Sequence, residues 1–213
     1  MISKYFSHIC FFFALLSMPM SVLAQHSMDE LFISMPQTLV PSLPIEARMD
    51  MVDLFRSEME AKVDNYFDRP SVLENLNEQG FDLQVTKSSR LDARLFLTEQ
   101  NDTVLAVIRT LYVPQEDSRL MLFDASWKPL DLSVELSFSD FLNLSDEAAI
   151  KQWRARLSPL HYTMKWQDGQ PCALVGLSYD RLDINYKKQL TSLLRLRTLR
   201  WTGAGFQFSP ADN

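Results

Sequence analysis

Few residues in this chain are able to do chemistry. Beyond residue 24 it holds one cysteine, Cys172, and two histidines, His26 and His161. A nucleophilic cysteine needs a base beside it to form the thiolate. Asp168-Gly169 lies between two alternating runs and marks a hairpin. Pairing Gln167 with Gln170 places Cys172 beside Lys165 and His161 opposite Gly176, too far from Cys172 for a hydrogen bond. Cys172 therefore reads as an inert, partly buried thiol and His161 as a polar surface residue. Histidine- and cysteine-based metal sites are excluded by residue count. No Gly-x-Ser-x-Gly elbow occurs, and the five glycines include no Gly-rich loop before a helix. Nothing in these residues asks for a cofactor.

Carboxylates and arginines remain. Asp50 with Asp53, and Glu116 with Asp117, are acidic pairs of the kind a glycosidase uses, and also of the kind solvated faces carry. Asp180, Asp183 and Asn185 miss the spacing of a calcium loop and read as a strand end and helix cap. The one charge asymmetry lies near the C-terminus. Lys187, Lys188, Arg195, Arg197 and Arg200 have no acidic residue between them in an otherwise acidic chain. Arg195 and Arg197 share a strand face near Trp201, and such a face binds carboxylates, phosphates or an acidic partner. The competing reading pairs these arginines with the protein's own carboxylates, or uses them to guard an edge strand.

The elements that position these residues begin with a targeting segment. Lys4 precedes an apolar core from Ile9 to Leu16, and Val22-Leu23-Ala24 resembles a cleavage site, so residues 1–24 read as a signal peptide. The apolar core is about half the length of a membrane span. Its removal takes one basic and no acidic residue, moving the formal net charge from −6 to −7. That balance argues against a nucleic-acid binder. A lone cysteine allows no internal disulfide, so stability must come from burial of a chain that is 46% apolar.

Residues 25–44 form a proline-punctuated arm in which Met28 to Met35 makes a helical turn or two. A helix is expected from Ile45 to Phe67, its stripe being Ile45, Met49, Val52, Phe55, Met59 and Val63. Ser71 to Gln79 has a capping-box pattern, Ser71 with Glu74, and reads as a short helical connector. From Phe81 to Asp124 apolar and polar residues alternate in a four-stranded antiparallel meander, whose third strand, Val104 to Val113, is apolar enough to be buried on both faces. The outward residues Asp92, Arg94 and Thr98 show no chemical pattern, which directs the search for function to the C-terminal unit. Leu132 to Leu142 fits either a strand or a helical step. A helix from Asp146 to Leu157, the hairpin, a helix from Asp183 to Leu194 and a strand from Arg195 to Trp201 complete the chain. The fold class is α+β, with antiparallel sheets covered by two main helices. Residues 45–131 and 132–213 make either two small α+β units or one split sheet.

Several spaced patterns carry a family resemblance. They are Met35-Pro36 with Leu39 and Pro41, Arg48-Met49-Asp50-Met51-Val52-Asp53, Ala61-Lys62-Val63, Ser71-Val72-Leu73, Thr86-Lys87-Ser88-Ser89, Arg109-Thr110 and Trp127-Lys128-Pro129-Leu130. Together they resemble the exported Bacteroidetes family catalogued as domain of unknown function 3256. The resemblance implies a cell-envelope protein and supplies no catalytic residues. Arg48, Asp50 and Asp53 read as a charge network at a helix start. The same origin makes Asp102-Thr103-Val104 similar to the pattern at which such bacteria O-glycosylate exported proteins, with Thr103 as acceptor.

The function expected is that of an exported non-catalytic binding protein, with an anionic glycan or a protein as partner and Arg195, Arg197, Arg200 and Trp201 as its contact. The alternatives are a carboxylate-dependent hydrolase of glycans and an inhibitor or chaperone of another exported protein. Oligomeric state is left open.

Overall fold

A computed structural model describes residues 27–131 and 134–210. The expected signal peptide, residues 1–24, lies outside the described residues. The expected meander is present and larger than expected. Six antiparallel strands pair in sequence order: β1 Lys62–Asp64, β2 Pro70–Asn77, β3 Gly80–Thr86, β4 Ser89–Leu97, β5 Thr103–Leu111 and β6 Asp117–Asp124. In β5 five consecutive residues, Val104 to Ile108, are buried. Leu105 and Val107 join the core on one face, while Val104, Ala106 and Ile108 join a second cluster on the other.

Two expectations fail in front of the meander. The helix α2 spans Ile45–Arg56 and does not reach Phe67. It ends where Glu58 turns to φ 58°, and Lys62–Asp64 then pairs with Pro70–Val72 as β1. Its expected stripe is only partly buried: Ile45 and Met49 face solvent, while Ala47, Arg48, Met51 and Val52 face the sheet. The connector from Ser71 is strand β2, and Ser71 is no helix cap. Its buried hydroxyl lies 2.7 Å from the Val85 carbonyl and accepts from the Asn65 amide at 3.2 Å.

Helix α1, Met28–Ser34, carries a true capping box between Ser27 and Glu30. Together α1 and α2 fill the first face of the sheet, burying Leu31, Phe32, Met51, Phe81, Leu83 and Leu91. Arg48 is a buried cation whose guanidinium donates to the Phe32 and Met35 carbonyls at the end of α1. There it satisfies the Met35 carbonyl and shares the Phe32 carbonyl with the Met35 amide, at the negative end of the helix dipole. Burial lowers its pKa. Arg48 is thus a cap for α1, not a surface charge at the start of α2. The Trp127 indole adds a bond to the Leu31 carbonyl at 3.0 Å.

A second antiparallel sheet has the order β10-β9-β8-β7, with β7 Tyr162–Trp166, β8 Cys172–Leu177, β9 Arg197–Trp201 and β10 Phe206–Pro210. The hairpin is real, but its register is offset by two residues. Lys165 pairs with Leu174 and Thr163 with Gly176, and the Gln167 amide bonds the Cys172 carbonyl at 3.0 Å. The connection therefore uses Asp168 to Pro171, with Gly169 at φ 67°. An even offset preserves which side chains share a face, so Tyr162, Met164 and Trp166 still lie with Ala173, Val175 and Leu177. Helix α3, Glu147–Leu157, helix α4, Ile184–Thr191, and a 3-10 turn at Phe138–Phe141 pack on part of this face. Asp146 caps α3, one residue after the Ser145 expected from sequence.

The rest of that face meets the back of the larger sheet. Phe96 of β4 lies 5.7 Å from Trp166, 5.5 Å from Trp201 and 5.4 Å from Phe206 between ring centroids. Both indoles donate to carbonyls of β4, Trp166 to Asp92 at 2.9 Å and Trp201 to Leu97 at 2.8 Å.

Candidate functional site

The smaller sheet covers only part of the larger sheet's second face. Beside it a groove of about 410 Å³ runs between β3, β4, the end of β5 and the hairpin. In β4, Arg90, Asp92 and Arg94 alternate with the buried Leu91 and Ala93. The ladder sets Asp82 of β3 directly opposite Asp92, and Arg90 opposite Thr110. Directly opposed Cβ atoms lie ~5 Å apart, so the two carboxylates stand side by side.

Arginines flank this pair. Arg90 Nε donates to both oxygens of Asp92, at 2.7 and 2.8 Å, and its Nη1 to Glu74 at 2.6 Å. Arg94 Nη1 donates to Asp82 at 2.6 Å, and the Asn75 amide reaches the other Asp82 oxygen at 3.2 Å. Glu74 is available because β2 is irregular there: Leu73 pairs with Leu83 and Asn75 with Asp82, leaving Glu74 as the extra residue of a bulge.

Burial pushes the Asp92 carboxyl up to about 6 despite the hydrogen bonds and charge of Arg90, and the neighbouring Asp82 charge adds to the rise. For Arg90, burial pulls down while Asp92 and Glu74 more than reverse it, so its pKa rises. Glu116, on the β5–β6 loop, is raised by burial and then by the charge of Asp180. Tyr112 at the rim is raised by burial, then by Glu116. Lys165 and Trp166 form the hairpin wall. Glu116 also borders a second cleft of about 290 Å³ with Thr163, Ser178, Asp180 and Arg195. The buried Ser178 hydroxyl has no hydrogen-bond partner.

The residues singled out from sequence are spread around this site. Arg195 precedes β9 and donates to the Asn143 side chain. Arg197 lies 4.9 Å above the Phe208 ring. Arg200 points to the opposite side of β9, in register with Cys172 and Gln207. Trp201 packs among Phe96 and Phe206 with its indole bonded to Leu97. Arg197 and Trp201 thus leave β9 on one side and Arg200 on the other, and Arg195 borders the cleft of about 290 Å³. Thr103 is the first residue of β5, half-buried, three residues after the turn at Glu99–Gln100. Cys172 is buried and its thiol donates to the Gln167 side chain at 2.8 Å. His161 Nδ1 lies 3.3 Å from Asp117. Asp183 caps α4 through the amides of Asn185 and Tyr186. Asp50 and Asp53 are exposed on α2. Among the described residues no group of three histidine, cysteine, aspartate or glutamate side chains is arranged to hold a metal, and no helix is long and apolar enough to cross a membrane.

Fold and groove define a class: an α+β scaffold of two antiparallel sheets, each packed against helices, with an ion-paired groove where they part. The chain belongs to the family described as protein of unknown function DUF3256, whose model matches residues 20–206. It is similar to the solved structure of a domain of an uncharacterized protein from Porphyromonas gingivalis W83. That similarity has a TM-score of 0.71 and 20% identity, covering 85% of this chain and 98% of the other. At that identity the likeness concerns the fold. Among curated proteins none matches the chain.

Proposed function

We propose that the protein is an exported, non-catalytic binding protein of the bacterial cell envelope, and that it holds a polar, carbohydrate-type ligand in the groove over β4. The ion-pair ladder Glu74–Arg90–Asp92 beside Asp82–Arg94 carries this reading. Charges already matched to one another form a fixed floor, and their remaining lone pairs and N–H groups suit a ligand rich in hydroxyls. The half-exposed Tyr112 offers a ring at the rim. General acid–base chemistry needs a carboxyl that reaches the reacting atom, whereas both Asp92 oxygens accept from Arg90.

Titration calorimetry of the chain from Gln25 onward against neutral and uronate-containing oligosaccharides tests the reading. We expect one-to-one binding of at least one sugar, weakened about tenfold, or ~1.4 kcal/mol, by Arg94→Ala combined with Lys165→Ala, with melting unchanged. Heat release from none of the sugars sinks the carbohydrate assignment. The hydrolase alternative draws on Glu116, which faces Asp180 and has no arginine partner among the described residues; release of reducing ends in the same titrations, lost in Glu116→Gln, would replace the binding reading with it. Export is supported by the pattern of residues 1–24. Glycosylation at Thr103 and a partner contact through Arg195, Arg197, Arg200 and Trp201 are separate proposals. The intact mass of native protein, compared with Thr103→Ala, reads both the cleavage and the glycan.

A further inference from the structure

A second hollow, of about 370 Å³, lies on the other side of Met164 from the polar groove, between β6, β7 and the segment 134–136. Its lining is more apolar. Leu120, Val134, Leu136, Leu160, Met164 and Leu199 line it from separate parts of the chain. All but Leu199 are only half-buried. Protein interiors leave few voids larger than a water molecule. Water fills a hollow well only where each molecule finds two to four polar partners. Here the Ser118 hydroxyl is already engaged by Thr110 at 2.9 Å, and Tyr162, Asp117 and Arg119 supply the other polar groups.

We propose that this hollow is a binding site for an aliphatic chain with an anionic head, of the fatty-acid type. The walls are leucine, valine and methionine, with Tyr162 as the one ring, which suits an alkyl chain better than a flat aromatic. Arg119 supplies the counter-charge. Its side chain is 81% exposed, and its nearest approach to Asp117 is a loose 3.7 Å. Asp117 in turn lies 3.3 Å from the His161 ring. The site is distinct from the polar groove and stands or falls separately from it.

The test is fluorescence titration of the chain from Gln25 onward with cis-parinaric acid, followed by displacement with myristate. The expected result is saturable binding of one probe per chain. Leu136→Trp and Leu160→Trp, which fill the hollow from different segments, each weaken it at least tenfold while the cooperative melt is retained. Arg119→Gln weakens it several-fold. Arg94→Ala, in the polar groove, leaves it unchanged. The proposal is overturned if wild type shows no saturable signal, if both filled variants bind as well as wild type, or if Arg94→Ala removes the signal along with them. Should one tryptophan variant fail to melt cooperatively, the other decides. Unchanged affinity in Arg119→Gln removes the anionic head from the ligand class.

Discussion

Strand β4 shows the two faces of one sheet treated in opposite ways. Leu91 and Ala93 point into a core closed by α1 and α2 and are essentially inaccessible. Arg90, Asp92 and Arg94, one residue away in each case, point to a face that the smaller sheet covers incompletely. On the first face apolar volume decides stability, and the buried Arg48 is held through its Nη1 by the carbonyls of Phe32 and Met35. On the second, charges have been drawn partly out of water and matched to one another. The difference teaches that the alternation which builds a strand also sorts its residues into a structural half and a half available for ligands.

The contrast is sharpest where core volume is removed. Phe81 is fully buried and packs edge-on against Phe32 at 5.1 Å. Phe81→Ala is expected to lose about 3–5 kcal/mol in urea unfolding; a loss below ~1 kcal/mol would show that the helix-backed face is not closely packed. Arg48→Ala uncovers the Met35 carbonyl at the end of α1 and is expected to lose about 2 kcal/mol, with hydrogen exchange accelerated first in residues 28–35. Exchange that rises evenly through the sheet instead would mean Arg48 acts on the whole core.

The charged face should respond to pH rather than to volume. Asp92 moves from the usual 3.8 to about 6 on folding, so the folded protein binds this proton more tightly than the unfolded chain. The stability this group supplies is present at low pH, declines as pH rises from about 4 to 6 and is lost above that. At 1.36 kcal/mol per unit the decline is on the order of 2 kcal/mol. Stability of wild type minus Asp92→Asn should fall by that amount between pH 4 and pH 7. A difference flat across that range would make Asp92 an ordinary solvated carboxylate and break the distinction between the faces.

Much of the fold is legible in the residues. Strands β3 to β6 follow from alternation, and the double burial of β5 follows from its unbroken apolar run. Strand β2 escapes for a definite reason. The bulge at Glu74 brings Leu73 and Leu76 to the same core, and a three-residue step imitates a helix, reinforced by Ser71 and Glu74 in capping-box spacing. Likewise Met59 and Val63 extend the stripe of α2 by coincidence across the turn at Glu58. The hairpin was visible from Asp168-Gly169, but Pro171 falls in its loop, which lengthens the connection and moves the register by two. The groove was hidden differently. Asp82, Arg90, Asp92 and Arg94 all stand out as the polar members of alternating strands, yet their convergence depends on register, on the bulge that delivers Glu74, and on a hairpin more than seventy residues downstream. No local spacing encodes that. The arginines near the C-terminus were conspicuous because they are close in sequence, and β9 sends them to different sides.

The two indoles that hold the smaller sheet have a mechanical consequence. They grip the same strand at residues 92 and 97, ~17 Å apart along β4. A single attachment would be a pivot, about which the hairpin could swing like a jaw. Two attachments make a bracket, and a bracket fixes the gauge of the slot beside it. Molecules entering that slot are therefore sorted by fit at the moment of encounter, and the occupied protein should superimpose on the empty one.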